Sequence, residues 1–332
     1  MSVVDELPDS APPVRPVLHT ALESIGNTPL VPLQRLTAGL NARVLVKLEY
    51  FNPTGSYKDR MALAMIEEAE RRGQISPERT TIVEYTGGST GSSLSFVCAV
   101  KGYALKIVTS DAFSEEKIRT MTSLGAEVVM VPSVGGAITP DLMPRIIDRT
   151  RELASHGVTY WTDQFNNPDN AVGQRTMGRE ILAQTGGKVD AFVASVGTAG
   201  CAMGVAHVLK EHDPTIAVHI VEPSTSAVLS GKEAGSHRVE GIALGFVPPL
   251  LRPELYDEVM VIEEEEARET ALRLAREEGI FAGTSSGMNV AAALRVAAAL
   301  GDGATVVTAA VDSGLKYIST DLYPRTTGGA GA

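Results

Sequence analysis

Short β-branched runs alternate with helical patterns along nearly the whole chain, and no other feature restricts the fold as sharply. Val44–Leu48, Thr81–Glu84, Leu105–Thr109, Glu127–Val131, Ala191–Ser195, Ala217–Val221 and Thr305–Ala309 read as strands. Lys58–Gly73, Thr90–Gly102, Glu115–Gly125, Arg175–Gln184, Ala199–His212, Glu265–Glu278 and Gly287–Ala299 read as helices. Several of these helices end in a glycine (Gly73, Gly102, Gly125), which adopts the left-handed conformation of a helix terminus without steric cost. Alternation of this kind predicts an α/β chain with mostly parallel sheets, because each parallel return needs a crossover. The length of 332 residues suggests two domains at roughly 100–200 residues each.

Composition narrows the function classes. Hydrophobic residues make up 44%, enough for large cores and too many for a disordered chain. Lys plus Arg is 29 and Asp plus Glu is 40, giving 29 − 40 = −11, so no global basic field awaits nucleic-acid phosphates. Cys98 and Cys201 are far apart with no CxxC spacing, which argues against a disulfide framework or zinc knuckle and fits a reducing compartment. The apolar runs fall well short of the about 18 residues a membrane helix needs. The start carries Asp5, Glu6, Asp9 and Pro8, Pro12, Pro13 and Pro16, unlike a secretory leader. A cytoplasmic protein is expected, with loose tails over 1–18 and 326–332.

Three Gly-rich turns fall where the pattern changes to helix: Thr86-Gly87-Gly88-Ser89-Thr90-Gly91, Gly197-Thr198-Ala199-Gly200-Cys201 and Gly283-Thr284-Ser285-Ser286-Gly287. Each is read as following a strand. Small residues there let the backbone approach a ligand, and free N–H groups at a helix start favour an anion. Ligands of open α/β sheets sit beyond the carboxyl ends of strands, where such turns lie. Tight connections without a ligand are the alternative. The ATP and dinucleotide fingerprints GxxxxGK[ST] and GxGxxG are absent, as are HExxH, EF-hand and GxSxG patterns. No metal site is expected, since His19, His156, His207, His212, His219 and His237 form no ligand cluster.

Asn52-Pro53-Thr54-Gly55-Ser56-Tyr57-Lys58-Asp59-Arg60 places Lys58 at a helix start. The helix dipole there disfavours a cation and lowers a lysine pKa, which suits Schiff-base chemistry. The competing reading is a solvated lysine paired with Asp59 or Glu67. The run Glu263–Glu266 reads as a helix start whose acids complement the dipole.

Lys47-Leu48-Glu49, Asn52–Arg60 and Ala62–Ala69 resemble the lysine segment of the cysteine synthase family, pyridoxal 5′-phosphate enzymes of fold type II that include cystathionine β-synthase. The resemblance runs from Ile25-Gly26-Asn27-Thr28-Pro29-Leu30 to Asp312-Ser313-Gly314 and Tyr317-Ile318-Ser319-Thr320, nearly the whole chain. It implies two three-layer α/β domains, tryptophan synthase β-like, with the cofactor in the cleft between them. Residues 19–50 and 162–325 would form the larger domain and 51–161 a smaller mobile one. Lys58 would hold the cofactor as an internal aldimine and then act as general base. Gly197, Thr198, Ala199, Gly200 and Cys201 would cradle its phosphate, Ser285 would hydrogen-bond its pyridine nitrogen, and Gly241 would lie beside it. Thr86, Gly87, Gly88, Ser89 and Thr90, with Gln164, would bind the substrate α-carboxylate.

The resemblance implies β-replacement on an O-activated L-serine, of O-acetylserine or O-phosphoserine type, through an α-aminoacrylate. A small nucleophile then gives L-cysteine or a related β-substituted alanine. A β-eliminating lyase, such as a cysteine desulfhydrase or a serine/threonine dehydratase, shares the early steps. A non-catalytic binding protein would not need Lys58, Gln164 and Ser285. A homodimer is implied, and whether a serine acetyltransferase is a further partner is left open by the sequence. Two departures stand out. The substrate loop usually reads TSGNTG and here reads TGGSTG, so Gly87 replaces a serine that helps bind the carboxylate. Ser89 replaces an asparagine that contacts the cofactor's 3′-oxygen and the substrate. Cys201 stands in place of a threonine, which weakens one phosphate contact by about 1 kcal/mol.

Overall fold

The structure is a computed structural model and describes residues 17–323 apart from 137, 138 and 140. Of the expected tails 1–18 and 326–332, residues 1–16 and 326–332 lie outside the described residues. The chain runs β1 (Leu30–Pro32), β2 (Arg43–Leu48), α1 (Lys58–Arg71), β3 (Thr81–Tyr85), α2 (Ser89–Lys101), β4 (Ala104–Thr109), α3 (Glu115–Ser123), β5 (Glu127–Met130), α4 (Leu142–Ala154) and β6 (Thr159–Trp161). It continues with α5 (Asp169–Thr185), β7 (Ala191–Ser195), α6 (Gly200–His212), β8 (Ala217–Pro223), β9 (Glu258–Ile262), α7 (Glu264–Arg273), α8 (Thr284–Leu300) and β10 (Thr305–Ala310).

Two sheets result. One is six-stranded in the order β1-β2-β10-β7-β8-β9 and the other four-stranded in the order β5-β4-β3-β6. Every pairing is parallel except β1 with β2. Strands of the larger sheet are apolar on both faces. Val44 and Val46 point into one core with Ala191 and Val193, while Leu45, Phe192 and Ala194 point into the other. Helices on both sides of a parallel sheet demand this, so these strands read as continuous apolar runs rather than alternating ones.

The connectivity fixes where a site can lie. In the smaller sheet β3 leads to β4 on one side, and β6 settles on its other side. In the larger sheet β7 leads to β8, and β10 settles on its other side. Where the strand order reverses in this way, the departing loops separate and leave a crevice at the carboxyl ends. Thr86 and Thr162 follow one such pair of strands, and Val196 and Val311 the other.

Helices α1, α5 and α6 pack closely because glycines remove the side chains between them. A Cβ on Gly173 would overlap the carbonyl oxygen of Arg60, and one on Gly204 that of Ala171. Beneath α1 lies a buried ion network. Arg60 donates to Glu49 through Nε (2.8 Å) and Nη2 (2.8 Å), and to Glu180 through Nη1 (2.7 Å) and Nη2 (2.8 Å). Lys47 also pairs with Glu180 at 2.7 Å. Burial alone would raise the Glu180 carboxyl, but Arg60 and Lys47 outweigh it and hold the group down to about 2.

The structure adds elements the sequence reading lacks. α4 carries Pro144 in its first turn, a residue that reads as a breaker yet is tolerated where no intrahelical N–H bond is lost. β1 and β6 are three residues each, too short for a periodicity. β9 is a half-exposed edge. α5 begins at Asp169, ahead of the expected Arg175, because Gly173 and Gly178 within it mask its pattern. The helix expected over Glu265–Glu278 is α7 followed by a π-turn, Leu274–Glu278. Glu264, Glu265 and Glu266 do lie in its first turn. No helix among the described residues is long and apolar enough to cross a membrane.

Candidate active site

The loop Thr86–Gly91 leaves β3 and enters α2 at Ser89, and its three glycines are moulded by one face of α3 and by Phe113, two residues ahead of that helix. A Cβ on Gly87 would stand 2.8 Å from the Phe113 ring, and one on Gly88 would stand 2.5 Å from Lys117 Cδ. A Cβ on Gly91 would overlap Met121 Sδ. Phe113, Lys117 and Met121 recur every fourth residue, the spacing that aligns side chains along a helix. The loop is therefore glycine-rich because another element lies against it as well as for any ligand.

Gln164 reaches this loop from the end of β6. Its Oε1 accepts from Thr90 Oγ1 (2.8 Å), its Nε2 donates to the Tyr85 carbonyl (3.2 Å), and its N–H donates to Glu84 Oε2 (3.0 Å). Glu84 also accepts from Thr162 Oγ1 (2.7 Å), Tyr85 N–H (2.8 Å) and Trp161 Nε1 (3.3 Å). Burial pushes its carboxyl up to about 7, against the opposing effect of these donors.

Gly197–Cys201 joins β7 to α6. Ala199 is left-handed at φ 66°, a conformation uncommon for a residue with a side chain. A left-handed residue directly ahead of a helix start, whose first N–H groups have no intrahelical partner, is an arrangement suited to receiving an anion. A Cβ on Gly197 would overlap the carbonyl oxygen of Gly241, itself at φ 82°. Ala243 N–H donates to the Val196 carbonyl (3.0 Å), holding the Gly241 segment against the loop. Asn170, one residue into α5, donates to the Gln164 carbonyl (2.7 Å) and to Thr198 Oγ1 (2.9 Å). One chain of hydrogen bonds thus connects Thr90, Gln164, Asn170 and Thr198, tying the loop of one sheet to the loop of the other.

Lys58 is the first residue of α1 and is buried. Its ammonium has no hydrogen bond or ion pair among the described residues, and only the Tyr57 ring approaches it, at 5.0 Å to the centroid. Burial lowers its pKa to about 8, while Asp312 and Glu84 pull the other way. The alternative partners are engaged elsewhere. Asp59 accepts from Thr54 N–H (2.8 Å) and Thr54 Oγ1 (2.6 Å), and Glu67 pairs with Lys101 at 3.3 Å. The reading of Lys58 as a solvated lysine salt-bridged to Asp59 or Glu67 is therefore corrected. Cys201 is buried, which pushes its thiol up to about 12, so it is uncharged at neutral pH.

The third turn differs from expectation in one respect. Gly283 follows an isolated bridge, Ala282 with Ser313, not a strand, and Thr284–Gly287 already forms the first turn of α8. It still lies at the end of β10, because Gly283 N–H donates to the Asp312 carbonyl (3.3 Å) and Val311 N–H to Ser286 Oγ (3.0 Å). Ser285 is buried, and its hydroxyl has no partner among the described residues. Asp312 Oδ2 accepts from Tyr317 OH (2.8 Å), and its buried Oδ1 has no hydrogen-bond partner among the described residues. Asn170, Glu84 and Asp312 were not singled out by sequence as site residues. Asn170 in particular carries no local signal beyond its place near a helix start.

On buried residues, an amine and a hydroxyl without hydrogen-bond partners among the described residues, together with an anion-receiving helix start, make a donor set that fits an aldehyde bearing a phosphate and a ring nitrogen. The class that such a fold and site define is a pyridoxal-phosphate-dependent enzyme. The family model described as pyridoxal-phosphate dependent enzyme matches residues 21–312, and the chain belongs to that family. Within it, the chain is 44% identical over 301 residues to a cysteine synthase of Staphylococcus aureus, covering 90% of this chain and 95% of that one. The fold matches a crystal structure of cysteine synthase from Entamoeba histolytica with a TM-score of 0.89, 36% identity and coverage of 96% and 94%. It also matches O-ureido-L-serine synthase with a TM-score of 0.85, 36% identity and coverage of 95% and 98%.

Proposed function

We propose that this chain catalyses a pyridoxal-phosphate-dependent β-replacement on an O-activated L-serine, of O-acetylserine or O-phosphoserine type, to give L-cysteine or a related β-substituted alanine. The observation that carries this reading is Lys58, a buried residue whose amine has no hydrogen-bond or ionic partner among the described residues while Asp59 and Glu67 are engaged elsewhere. The similarity to cysteine synthases supports the substrate class.

The bound cofactor supplies the electron sink that acidifies the substrate Cα–H and permits loss of the β-substituent. The protein's own residues do the rest. Lys58 Nζ would hold the cofactor carbonyl and, once displaced by the substrate amine, take the proton from Cα. Its pKa near 8, against 10.5 for an ordinary lysine, leaves far more of it neutral at physiological pH for that task. Backbone N–H groups of Gly197–Cys201 would hold the phosphate, with Gly241 beside the cofactor. Ser285 would place a neutral hydroxyl at the ring nitrogen, which withdraws less charge than an acid and favours prompt departure of a β leaving group. Thr86–Thr90 and Gln164 would hold the α-carboxylate.

The test is to incubate the purified holoenzyme with O-acetylserine and sulfide and to assay cysteine. Cysteine formation supports replacement. Pyruvate release without an added nucleophile would assign the β-eliminating lyase instead, the reading that the shortened side chains at Gly87 and Ser89 favour. Failure to take up pyridoxal phosphate would overturn both.

A further inference from the structure

Asn170 is buried on the first turn of α5, and its amide spends its two hydrogens in two different loops. Nδ2 donates to the Gln164 carbonyl at 2.7 Å and to Thr198 Oγ1 at 2.9 Å. Both acceptors adjoin backbone that turns left-handed without a glycine: Asp163, at φ 46°, precedes Gln164, and Ala199, at φ 66°, follows Thr198. Such turns cost free energy and persist only where their surroundings fix them. Helix α5 is itself fixed, because Gly173 lets it lie against Arg60 of α1 and Gly204 lets α6 lie against Ala171. One amide on a firmly packed helix thus sets the position of both loops.

The direction of the bonds decides what each loop has left to offer. Thr90 Oγ1 gives its proton to Gln164 Oε1, and Gln164 Nε2 gives one hydrogen to the Tyr85 carbonyl, which leaves the second for a carboxylate. Thr198 Oγ1 accepts from Asn170, which leaves its own proton for a phosphate oxygen. An anion that holds Gln164 therefore also holds the carbonyl on which Asn170 rests, and Asn170 in turn orients the Thr198 hydroxyl. We propose that Asn170 is a positioning residue that makes the two anion seats cooperative. A carboxylate held by Thr86–Thr90 and Gln164 tightens the hold on the cofactor phosphate, and the phosphate tightens the hold on the carboxylate by the same factor. The assignment rests on the reaction proposed above, which puts those two groups in those two loops. Repulsion between two anions would by itself give the opposite sign. A second tie crosses at the rim, where Lys117, buried beside Gly88, pairs with the exposed Glu240 beside Gly241. Salt screens an exposed ion pair and leaves a neutral buried amide unaffected, so the two routes can be told apart.

The experiment titrates stripped protein with pyridoxal phosphate, following the visible absorbance, with and without propionate, an acid that has no amine to react with the aldehyde. Propionamide at the same concentration and chloride at the same ionic strength are the references. In the parent, propionate is expected to lower the dissociation constant of pyridoxal phosphate about fivefold or more, and neither reference is expected to do so. Asn170→Ala removes both donated hydrogens, Asn170→Asp removes them while keeping the shape of the side chain, and Thr198→Val removes the hydroxyl. Each is expected to reduce the propionate effect to less than about twofold. Glu240→Gln is expected to keep the effect, and so is the parent in high chloride. Retention of the effect in Asn170→Asp overturns the assignment, as does its absence from the parent. Loss of the effect in Glu240→Gln or in high chloride assigns the coupling to the ion pair and overturns it too, a reading available even where an Asn170 variant no longer takes up the cofactor. A parent that forms cysteine from O-acetylserine but shows no propionate effect overturns the coupling alone; one that takes up no pyridoxal phosphate overturns the proposed reaction as well.

Discussion

Asn170 occupies the space that a side chain on Gly200 would need: a Cβ there would overlap Asn170 Oδ1. The same Asn170 carries the hydrogen bonds from the Gln164 carbonyl to Thr198. Gly200 is therefore a glycine because of α5, not because of its own φ.

Gly200→Ala is expected to lower stability by about 1–3 kcal/mol, the usual range for overpacking a filled site, and to weaken pyridoxal phosphate uptake. Asn170→Ala removes the clash and the brace together. The double variant should consequently lose less than the sum of the two single losses in urea denaturation. Strict additivity would show that the two residues do not share this space.

Lys58→Ala is expected to eliminate the visible absorbance of the lysine-bound cofactor. With Lys58 present, cofactor uptake by stripped protein depends on the neutral amine. Its rate should rise about tenfold per pH unit and level off above about 8, where Lys58 is depressed from 10.5. Stopped-flow absorbance across pH 6–10 measures this, and a break near 10.5 would contradict the burial argument.

Glu84 gathers four donors beneath Gln164. Glu84→Ala leaves them without an acceptor and is expected to cost about 2–4 kcal/mol, with a raised KM for the amino acid as Gln164 shifts. Its folded pKa of about 7 lies above the ordinary 4.5. The folded state then binds the proton more tightly, so this contribution is full below 4.5 and is lost as pH rises through 7. Glu84→Gln should flatten that slope in pH-dependent unfolding.

Arg60 is enclosed between Glu49 and Glu180. Arg60→Met leaves two acids facing each other and is expected to cost about 3–5 kcal/mol. Glu180 behaves oppositely to Glu84. Its folded pKa near 2 lies below 4.5, so its contribution is present above 4.5 and lost as pH falls toward 2. Acid unfolding of Glu180→Gln should be correspondingly less steep in that window.

Much of the architecture was legible because it follows from local periodicity. The glycine stops at Gly73, Gly102 and Gly125 do carry positive φ, and the strand at Ala191–Ser195 has the expected bounds. Elements without a period of their own escaped. β6 was too short, α4 was disguised by Pro144, and α5 was interrupted by glycines whose purpose lies in neighbouring helices.

The sequence by itself determined an α/β chain with parallel sheets, the two turns that end β3 and β7, and a lysine at the start of a helix. Backbone propensity and residue size act within a few neighbours, and those features need nothing more. Only the tertiary structure decided that Lys58 lacks an ionic partner among the described residues, that Asn170 joins two loops, that Phe113 and α3 fill the space above Gly87, Gly88 and Gly91, and that Lys117 meets Glu240. Each of these depends on groups far apart in the chain whose charges and volumes interact only after the sheets are assembled, and burial then sets the protonation of Lys58 and Glu84.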